Sequence, residues 1–462
     1  MVGRDVGALG KHLALAGFMG AGKTTIGREV AARIGRPFVD TDEELERRHG
    51  PIARIFDERG EAEFRALEEV VVAETLEARE PALVALGGGA VLSEATRERL
   101  VRSTHVVHLL VDASAAWERV RDADRPLARD EDAFRRLFEE RLEVYAAVRD
   151  GAASTVDDVL LSGLGVTIGA DAGVRADAVV ADSAVLALHP RDFDCPVYEV
   201  PSGEAAKRLD VVRGLWDALD VARGGSLLAL GGGTTTDVAG FVAATYKRGL
   251  DWIAMPTTLV GQVDAAIGGK TGIDLEAGKN LAGAFHYPRA VVIEPAFLAT
   301  LPPEERRAGM AEVVKTGLLA GDRFWELDGE AMVRGCAAYK ASVCLADPFE
   351  QTGRRAVLNL GHTFAHGLEA ASGFELRHGD AVALGLLAAL RLSGQPTDLI
   401  EDVLAPEPVA VDPHAAWEAM RRDKKNRDGR IRLVLLEAPG RPVFPAELPE
   451  RDVRQELERL IA

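Results

Sequence analysis

The stretch Gly17-Phe-Met-Gly20-Ala21-Gly22-Lys23-Thr24 has the spacing GxxxxGK[ST]. Glycines so placed let successive backbone N–H groups turn inward around phosphate oxygens. The lysine adds a cation near the β and γ phosphates, and the threonine hydroxyl suits a Mg²⁺ ligand. Gly20, Ala21, Gly22, Lys23, Thr24 and Thr25 are therefore candidate ATP-binding residues. Phe38-Val-Asp40-Thr-Asp42 follows, with carboxylates at i and i+2 after apolar residues, so both leave one face of a strand end. One carboxylate could order Mg²⁺ and its waters while the other holds a hydroxyl-bearing substrate. The bland alternative is an acidic cap on the helix that EELERR begins.

A second constellation lies in the C-terminal half. His362-Thr-Phe-Ala-His366 puts two imidazoles at i and i+4 on one helix face, and His378 follows, so three of the ten histidines fall in this stretch. Glu312 and Lys315 sit at i and i+3 of another helix. Any three of Glu312, His362, His366 and His378 could hold a divalent ion with one position open. The pattern lacks the Glu of HExxH, which disfavours a zincin protease. Gly231-Gly-Gly233-Thr-Thr-Thr-Asp237 has the glycines for close backbone approach to a ligand but not the order GxGxxG. Lys207, Arg248, Lys270, Lys279, Lys315, Lys340, Arg355 and Lys424 gather in the same half and suit an anionic substrate, although such residues also serve simply to solvate a surface.

The elements that must position these groups follow from hydrophobic patterning. HLALAG (12–17), ALVALG (82–87) and HVVHLLV (105–111) read as buried parallel strands. Ile26, Val30 and Ile34 fall on one helix face between them. Strands alternating with helices predict a three-layer α/β domain over 1–162. A Gly, Ala and Ser-rich junction over 163–177 follows, in which VTIGADAG could already begin the next unit. AVVADS, SLLALGGG, WIAMPTT and AVVIEP predict a second α/β domain over 178–300, and the remainder, 301–462, reads as mainly helical with a late strand in IRLVLLEAPG. Three domains match a length of 462 residues at roughly 150 residues each.

Composition bounds the function classes. Apolar residues make up 47% and charged residues 28%, ordinary globular usage that excludes disorder or low complexity as the main character. A net charge of −18 disfavours nonspecific binding to nucleic acid or anionic membrane, so an anionic substrate must be met by local basic clusters. Three cysteines without a CxxC pair suggest neither a disulfide framework nor a thiolate metal site. With no apolar run near the ~20 residues of a membrane span, a cytoplasmic enzyme is expected.

The N-terminal segment resembles shikimate kinase through GFMGAGKTT, FVDTDEELE, IFDERGEAEFRALE, LGGGAV, DRPL and RLEVY, over nearly all of residues 11–148. The resemblance implies that Thr24 and Asp40 organise Mg²⁺, that Asp42, Arg65, Gly88 and Arg141 bind shikimate, and that Lys23, Asp42 and Arg125 are catalytic. Arg125 would sit on a lid and reach the nucleotide phosphates. Guanidinium forks at Arg65 and Arg141 suit the substrate carboxylate. The stretch between Asp42 and Arg65 is one residue shorter than the usual spacing, and either Arg119 or Arg121 is the adenine-side arginine.

The C-terminal segment resembles 3-dehydroquinate synthase over about 198–427. The matching stretches are PSGEAAKRLD, ALGGGTTTDVAGFVAATYKRG, PTTLVGQVDAAIGGKTGIDLEAGKNLAGAFHYP, AGMAEVVKTGLL, AVLNLGHTFAHGLE, RHGDAVALG and DKKN. By that resemblance Glu312, His362 and His378 bind Zn²⁺ (or Co²⁺), which leaves His366 for the substrate. Asp182, Glu204, Lys207, Gly233, Asp237, Thr257, Thr258 and Lys279 would contact NAD⁺, although the Asn usual two residues after Asp182 is Ala184 here. Asp264, Lys270, Lys315 and His366 would be catalytic. Asn280, Lys340, Arg355, Asn359 and Lys424 would hold the substrate, and Arg248 would reach the phosphate in a neighbouring subunit, implying a homodimer. The segment before Gly203 and that between His378 and Lys424 are short for the family, and one extra residue lies between Glu350 and Arg355.

The expectation is thus one chain with two enzymes of aromatic biosynthesis: a P-loop α/β kinase fused to a synthase with an α/β NAD-binding part and a helical metal-binding part. Two alternatives carry weight. A metal-dependent polyol dehydrogenase in the C-terminal half would need no phosphate cluster, against Lys270, Lys315 and Arg355. A nucleotide sensor in the N-terminal half would need no hydroxy-acid site, against Asp42, Arg65 and Arg141.

Overall fold

The computed structural model describes residues 6–122, 130–169, 173–276, 278–422 and 431–462. The chain forms two compact units, Met1–Val166 with Ala341–Ala346, and Thr167–Lys340 with Asp347–Ala462.

Five strands build the sheet of the first unit among the described residues: β1 (His12–Ala16), β2 (Phe38–Asp40), β3 (Leu83–Ala85), β4 (Thr104–Leu109) and β5 (Gly151–Ala153). Their order is β2-β3-β1-β4-β5 and every pairing is parallel. All five residues of β1 are buried, as the run HLALA requires of a central strand covered on both faces. Helix Lys23–Ile34 follows β1 and buries Val30 and Ile34. Across the sheet, Phe18 meets Phe134 and Phe138 edge-on at 5.0 and 5.1 Å between ring centroids, packing the phosphate-loop segment against helix Glu131–Val148.

The second unit holds a six-stranded sheet among the described residues, in the order β6 (Val166–Ile168), β13 (Ala290–Ile293), β10 (Asp251–Pro256), β9 (Ser226–Gly231), β7 (Ala178–Asp182), β8 (Val197–Val200). The pairs from β13 through β8 are parallel. Strand β6 falls within the expected junction 163–177, whose residues 170–172 lie outside the described residues. A two-stranded antiparallel ribbon, β11 (Lys270–Leu275) with β12 (Gly278–Phe285), and a terminal hairpin, β14 (Leu433–Ala438) with β15 (Arg441–Ala446), complete the strands. Neither pairing is evident from the apolar runs alone.

From Pro303 the chain is mainly helical. Helices Pro303–Ala320, His362–Ala371 and His378–Leu392 share a core of Val314, Leu318, Phe364, Leu368, Val382 and Leu386. Two glycines bring these helices unusually close. A Cβ on Gly379 would lie 2.2 Å from Ala308 Cα, and one on Gly385 would lie 2.1 Å from Gly361 O. The first contact seats the start of helix His378–Leu392 on the helix carrying Glu312; the second seats it against the start of the helix carrying His362. No helix among the described residues is long and apolar enough to cross a membrane.

Candidate functional site

In the first unit the phosphate loop leaves β1 and enters helix Lys23–Ile34 through Gly22, at φ 88 in the left-handed region, with no side chain capping the helix start. That leaves the helix N-terminus to face an anion. Lys23 Nζ folds over the loop, donating to Gly17 O at 2.8 Å and Phe18 O at 3.1 Å. Thr24 Oγ1 donates to Asp40 Oδ2 at 2.6 Å, which joins the two expected Mg²⁺ residues. The other Asp40 oxygen caps the next helix through the amides of Asp42 and Glu43, so the acidic-cap reading holds for Asp40 as well. Ala21 is buried and Thr25 exposed. Arg119 Nη1 donates to Gly20 O at 2.9 Å, whereas Arg121 pairs with Glu118 and Asp122, so Arg119 is the arginine against the phosphate loop. Arg125 lies outside the described residues.

Asp42, Arg65, Gly88 and Arg141 converge on one tripeptide, Gly87-Gly88-Gly89. A Cβ on Gly87 would sit 2.5 Å from both Asp42 Oδ1 and Glu68 Oε1, and one on Gly89 would sit 2.0 Å from Arg65 Nη1. Arg141 Nη1 and the Tyr145 hydroxyl both donate to Gly88 O, at 3.2 and 2.5 Å. Burial pushes the Tyr145 phenol up to about 12, keeping its proton for that bond. Arg65 is held by Glu68 at 2.6 Å and Glu61 at 3.1 Å. Burial raises the Glu68 carboxyl against the opposing pull of Arg65. A cavity of about 410 Å³ adjoins Arg65, lined by Glu61, Arg65, Glu68, Gly89 and Ser93 among others, but Asp42, Gly88 and Arg141 are not part of its lining.

In the second unit a glycine turn ends β9 and opens helix Gly233–Thr245, again with no side-chain cap. Glycine is required by contact: a Cβ on Gly232 would be 2.9 Å from Thr258 Cγ2, and one on Gly233 2.9 Å from the Ala265 Cβ. Thr257 N donates to Gly231 O at 2.9 Å, while the buried Thr257 Oγ1 has no hydrogen-bond partner. An orphan hydroxyl beside a glycine-lined helix N-terminus fits a dinucleotide. Lys207 Nζ bridges Asp237 Oδ2 at 2.6 Å and Asn280 Oδ1 at 2.8 Å; burial opposes its charge, but Asp237, with Glu204 and Asp274, outweighs burial and raises it. Lys279 pairs with Glu204 at 3.5 Å. Asp182 Oδ1 accepts from the amides of Ala184 and Val185 and the Ser202 hydroxyl, so that oxygen is committed to helix capping.

Beside this turn, Asp264 lies in the π-helical turn Gly261–Ala265 between two lysines. Lys340 contacts its carboxylate and also donates to Asp264 O at 2.6 Å; Lys315 lies 3.5 Å from Asp264 Oδ2 and contacts Glu312. Burial alone would raise Asp264 and Glu312. Lys315 and Lys340 hold Asp264 below the usual carboxylate range, and Lys315 and His362 hold Glu312 well below it.

Glu312, His362 and His378 each offer one ligand atom within 4.8 Å of the others. Nε2 of His362 and of His378 lie 3.4 and 3.2 Å from Glu312 Oε1. A fully buried carboxylate with two imidazole nitrogens turned toward it is a donor set that suits Zn²⁺ with one position open. The i, i+4 partner His366 stands outside the group, although its ring centroid is only 5.6 Å from that of His362. The third candidate donor comes instead from the neighbouring helix, which the Gly379 and Gly385 contacts draw in.

Lys270 meets the Glu350 carboxylate. Asn359 Nδ2 donates to Ala356 O at 3.0 Å. Arg355 is buried, its guanidinium donating to Gly268 O, Pro348 O and the Tyr287 hydroxyl. Arg248 is exposed at φ 68, strained for a residue with a side chain, and makes no hydrogen bond or ion pair among the described residues. Lys424 lies outside the described residues.

Residues 197–308 match the 3-dehydroquinate synthase N-terminal family, residues 309–426 the 3-dehydroquinate synthase C-terminal family, and residues 19–159 the shikimate kinase family. The chain is 39% identical over 320 residues to the 3-dehydroquinate synthase of Latilactobacillus sakei subsp. sakei, covering 61% of this chain and 90% of that protein. It belongs to the 3-dehydroquinate synthase family, with a shikimate kinase domain ahead of the synthase. The synthase of Symbiobacterium thermophilum is 42% identical over 310 residues, covering 60% of this chain and 86% of that one. Among solved structures, the 2-epi-5-epi-valiolone synthase from Streptomyces hygroscopicus subsp. jinggangensis, with NAD⁺ and Zn²⁺ bound, aligns with a TM-score of 0.57 at 26% identity, over 64% of this chain and 96% of that one.

Each domain shows residues at its site that sequence reasoning missed. In the kinase domain Glu61 and Glu68 grip Arg65; their spacing of i−4 and i+3 from that arginine was the available signal. In the synthase domain Glu350 meets Lys270, on a loop where Asp347 caps the amides of Gln351, Thr352 and Arg355. Glu350 takes φ 55, in the left-handed region. Nothing in the linear pattern pairs residues 270 and 350.

Proposed function

We propose that the kinase domain transfers the γ-phosphoryl of ATP to the 3-hydroxyl of shikimate. We propose further that the synthase domain converts 3-deoxy-arabino-heptulosonate 7-phosphate to 3-dehydroquinate and phosphate, with NAD⁺ recycled in each turnover. The observation that carries the second reading is the metal-type triad standing against a cation cluster: Lys315 touches both Glu312 and Asp264, and Lys340 holds Asp264 from the other side. A plain polyol dehydrogenase has no need of cations there.

In the kinase domain the phosphate loop and Lys23 cradle the nucleotide phosphates, and Thr24 with Asp40 would hold Mg²⁺. Asp42 would orient the attacking hydroxyl, Arg65 and Arg141 the carboxylate, and Arg125 would stabilise transferring charge. Positioning and electrostatics of this kind are most of what phosphoryl transfer requires.

In the synthase domain Glu312, His362 and His378 would hold Zn²⁺ or Co²⁺, which supplies Lewis acidity toward the substrate hydroxyl. The Gly231–Gly233 turn, Asp182, Glu204, Lys207, Asp237, Thr257, Thr258 and Lys279 would seat NAD⁺, which supplies hydride acceptance and return. Lys270, Asn280, Lys340, Arg355, Asn359 and Lys424 would bind the substrate's carboxylate, hydroxyls and phosphate. Asp264 and Lys315 would fix the reacting hydroxyls, and exposed His366 would contact the ring. Arg248, strained and without a hydrogen bond or ion pair among the described residues, would complete the site of a second copy in a homodimer.

The test supplies the full chain with 3-deoxy-arabino-heptulosonate 7-phosphate and substoichiometric NAD⁺, with and without a chelator, and measures phosphate. Many turnovers per NAD⁺, lost on chelation, are expected. Reduction of NAD⁺ in proportion to product would instead establish the dehydrogenase. ADP release dependent on shikimate tests the kinase in the same preparation; ATP binding without it would favour a sensor.

A further inference from the structure

In both histidines of the triad the ring nitrogen facing away from Glu312 is engaged. His362 Nδ1 lies 3.2 Å from Leu360 O. His378 Nδ1 lies 3.2 Å from Glu369 Oε1. Both Nδ1 partners are acceptor oxygens, so each Nδ1 carries a hydrogen, and Nε2, which faces the Glu312 carboxylate, is the atom that would turn its lone pair to a metal ion held between them.

The two anchors differ in kind. His362 is fixed by its own backbone, and its side chain is 10% exposed; the side chain of His378 is 41% exposed and depends on a distant residue. Glu369 sits two turns beyond His362 on the same helix and is only 6% exposed. Burying a carboxylate is costly unless it is paired. Among the described residues, the only side chain that hydrogen-bonds or ion-pairs with the Glu369 carboxylate is that of His378.

We propose that Glu369 is a positioning residue of the metal centre. Its carboxylate holds His378 Nδ1–H, setting the tautomer and ring plane so that Nε2 joins Glu312 and His362 as the third protein ligand. The inference rests on the metal reading above. It adds a residue that is not itself a ligand but decides how well the least buried ligand can bind. Outer carboxylates of this kind orient an imidazole and strengthen it as a donor.

The experiment titrates Zn²⁺ and Co²⁺ into the metal-stripped full chain against a chromophoric chelator, and records the visible absorption of the Co²⁺ form. Glu369→Leu removes the acceptor; Glu369→Gln keeps an oxygen that can accept from Nδ1–H. The Leu variant should bind on the order of 10- to 100-fold more weakly, with an altered Co²⁺ spectrum, and the Gln variant should recover most of the affinity. A Leu variant with wild-type affinity and spectrum overturns the proposal, whatever happens to its thermal stability, because Glu369 would then serve packing alone. Should the Leu variant not fold, Glu369→Asp, which withdraws the carboxylate, carries the same test: unchanged affinity overturns it. A wild-type chain that binds neither ion refutes the metal reading itself, a result separable from any difference between variants.

Discussion

Gly89→Ala in the kinase domain turns a backbone position into a test of Arg65. The added Cβ would lie 2.0 Å from Arg65 Nη1 and 2.5 Å from Cζ, well inside contact distance. The obstructed atoms end a flexible side chain, so the guanidinium is expected to swing away while the fold stays. That swing breaks the 2.6 Å contact with Glu68 and removes one of the two arginines assigned to the substrate carboxylate. A charge-assisted hydrogen bond is worth about 1.5–3 kcal/mol, so the shikimate KM should rise roughly 10- to 150-fold. The KM for ATP should change little, because the phosphate loop is untouched. The assay is ADP release against shikimate, with phosphate release by the synthase domain of the same chain as an internal control for integrity. An unchanged shikimate KM, with the synthase intact, would show that Arg65 does not grip the substrate and would refute the assignment.

Lys315→Met should destabilise the metal-free chain, since it removes the lysine from the fully buried Glu312 and leaves the two histidines as its partners, and added Zn²⁺ should restore part of that loss; melting temperatures with and without metal check it. His108 is buried against the Tyr145 ring, and burial, followed by the charges of Arg149 and Lys23, pushes its imidazole down to about 4. The unfolded chain takes up this proton near pH 6.5 and the folded chain only near 4. Stability is therefore full above 6.5 and falls through that window by up to about 3 kcal/mol, a slope that His108→Phe should flatten in denaturant titrations. If Arg248 serves the neighbouring site, Arg248→Ala and His378→Ala chains, each inactive as a synthase alone, should regain about a quarter of the wild-type rate when mixed through dissociation and reassociation, because each hybrid dimer holds one intact site. No recovery would place Arg248 in its own subunit's site, and an Arg248→Ala chain active alone would place it in none.

The parts of both sites that could be read in advance are those written in consecutive residues. The phosphate loop is legible because its backbone does the binding, so Gly20, Gly22, Lys23 and Thr24 need only the strand before them and the helix after them. The glycine turn after β9 is legible for the same reason. Buried parallel strands were visible as apolar runs, whereas the β11–β12 ribbon, whose second strand alternates exposed and half-buried positions, was not. The resemblance to known families carried residue roles that spacing alone left open, above all the choice among Glu312, His362, His366 and His378.

What the sequence by itself determined is the set of reacting groups: a phosphate loop with two acidic residues, and a cluster of histidines, lysines and carboxylates in an acidic chain. Only the tertiary structure decided which of them meet. Helical spacing pairs His362 with His366, yet the group that forms takes Glu312 and His378 from two other helices, because Gly379 and Gly385 admit backbone approaches that any side chain would block. Glu369 likewise becomes a partner of His378 across two successive helices, and Glu350 of Lys270 through a contact between segments distant in sequence. Hydrophobic periodicity tells a residue which face it occupies; the close packing of one helix on another decides what that face touches.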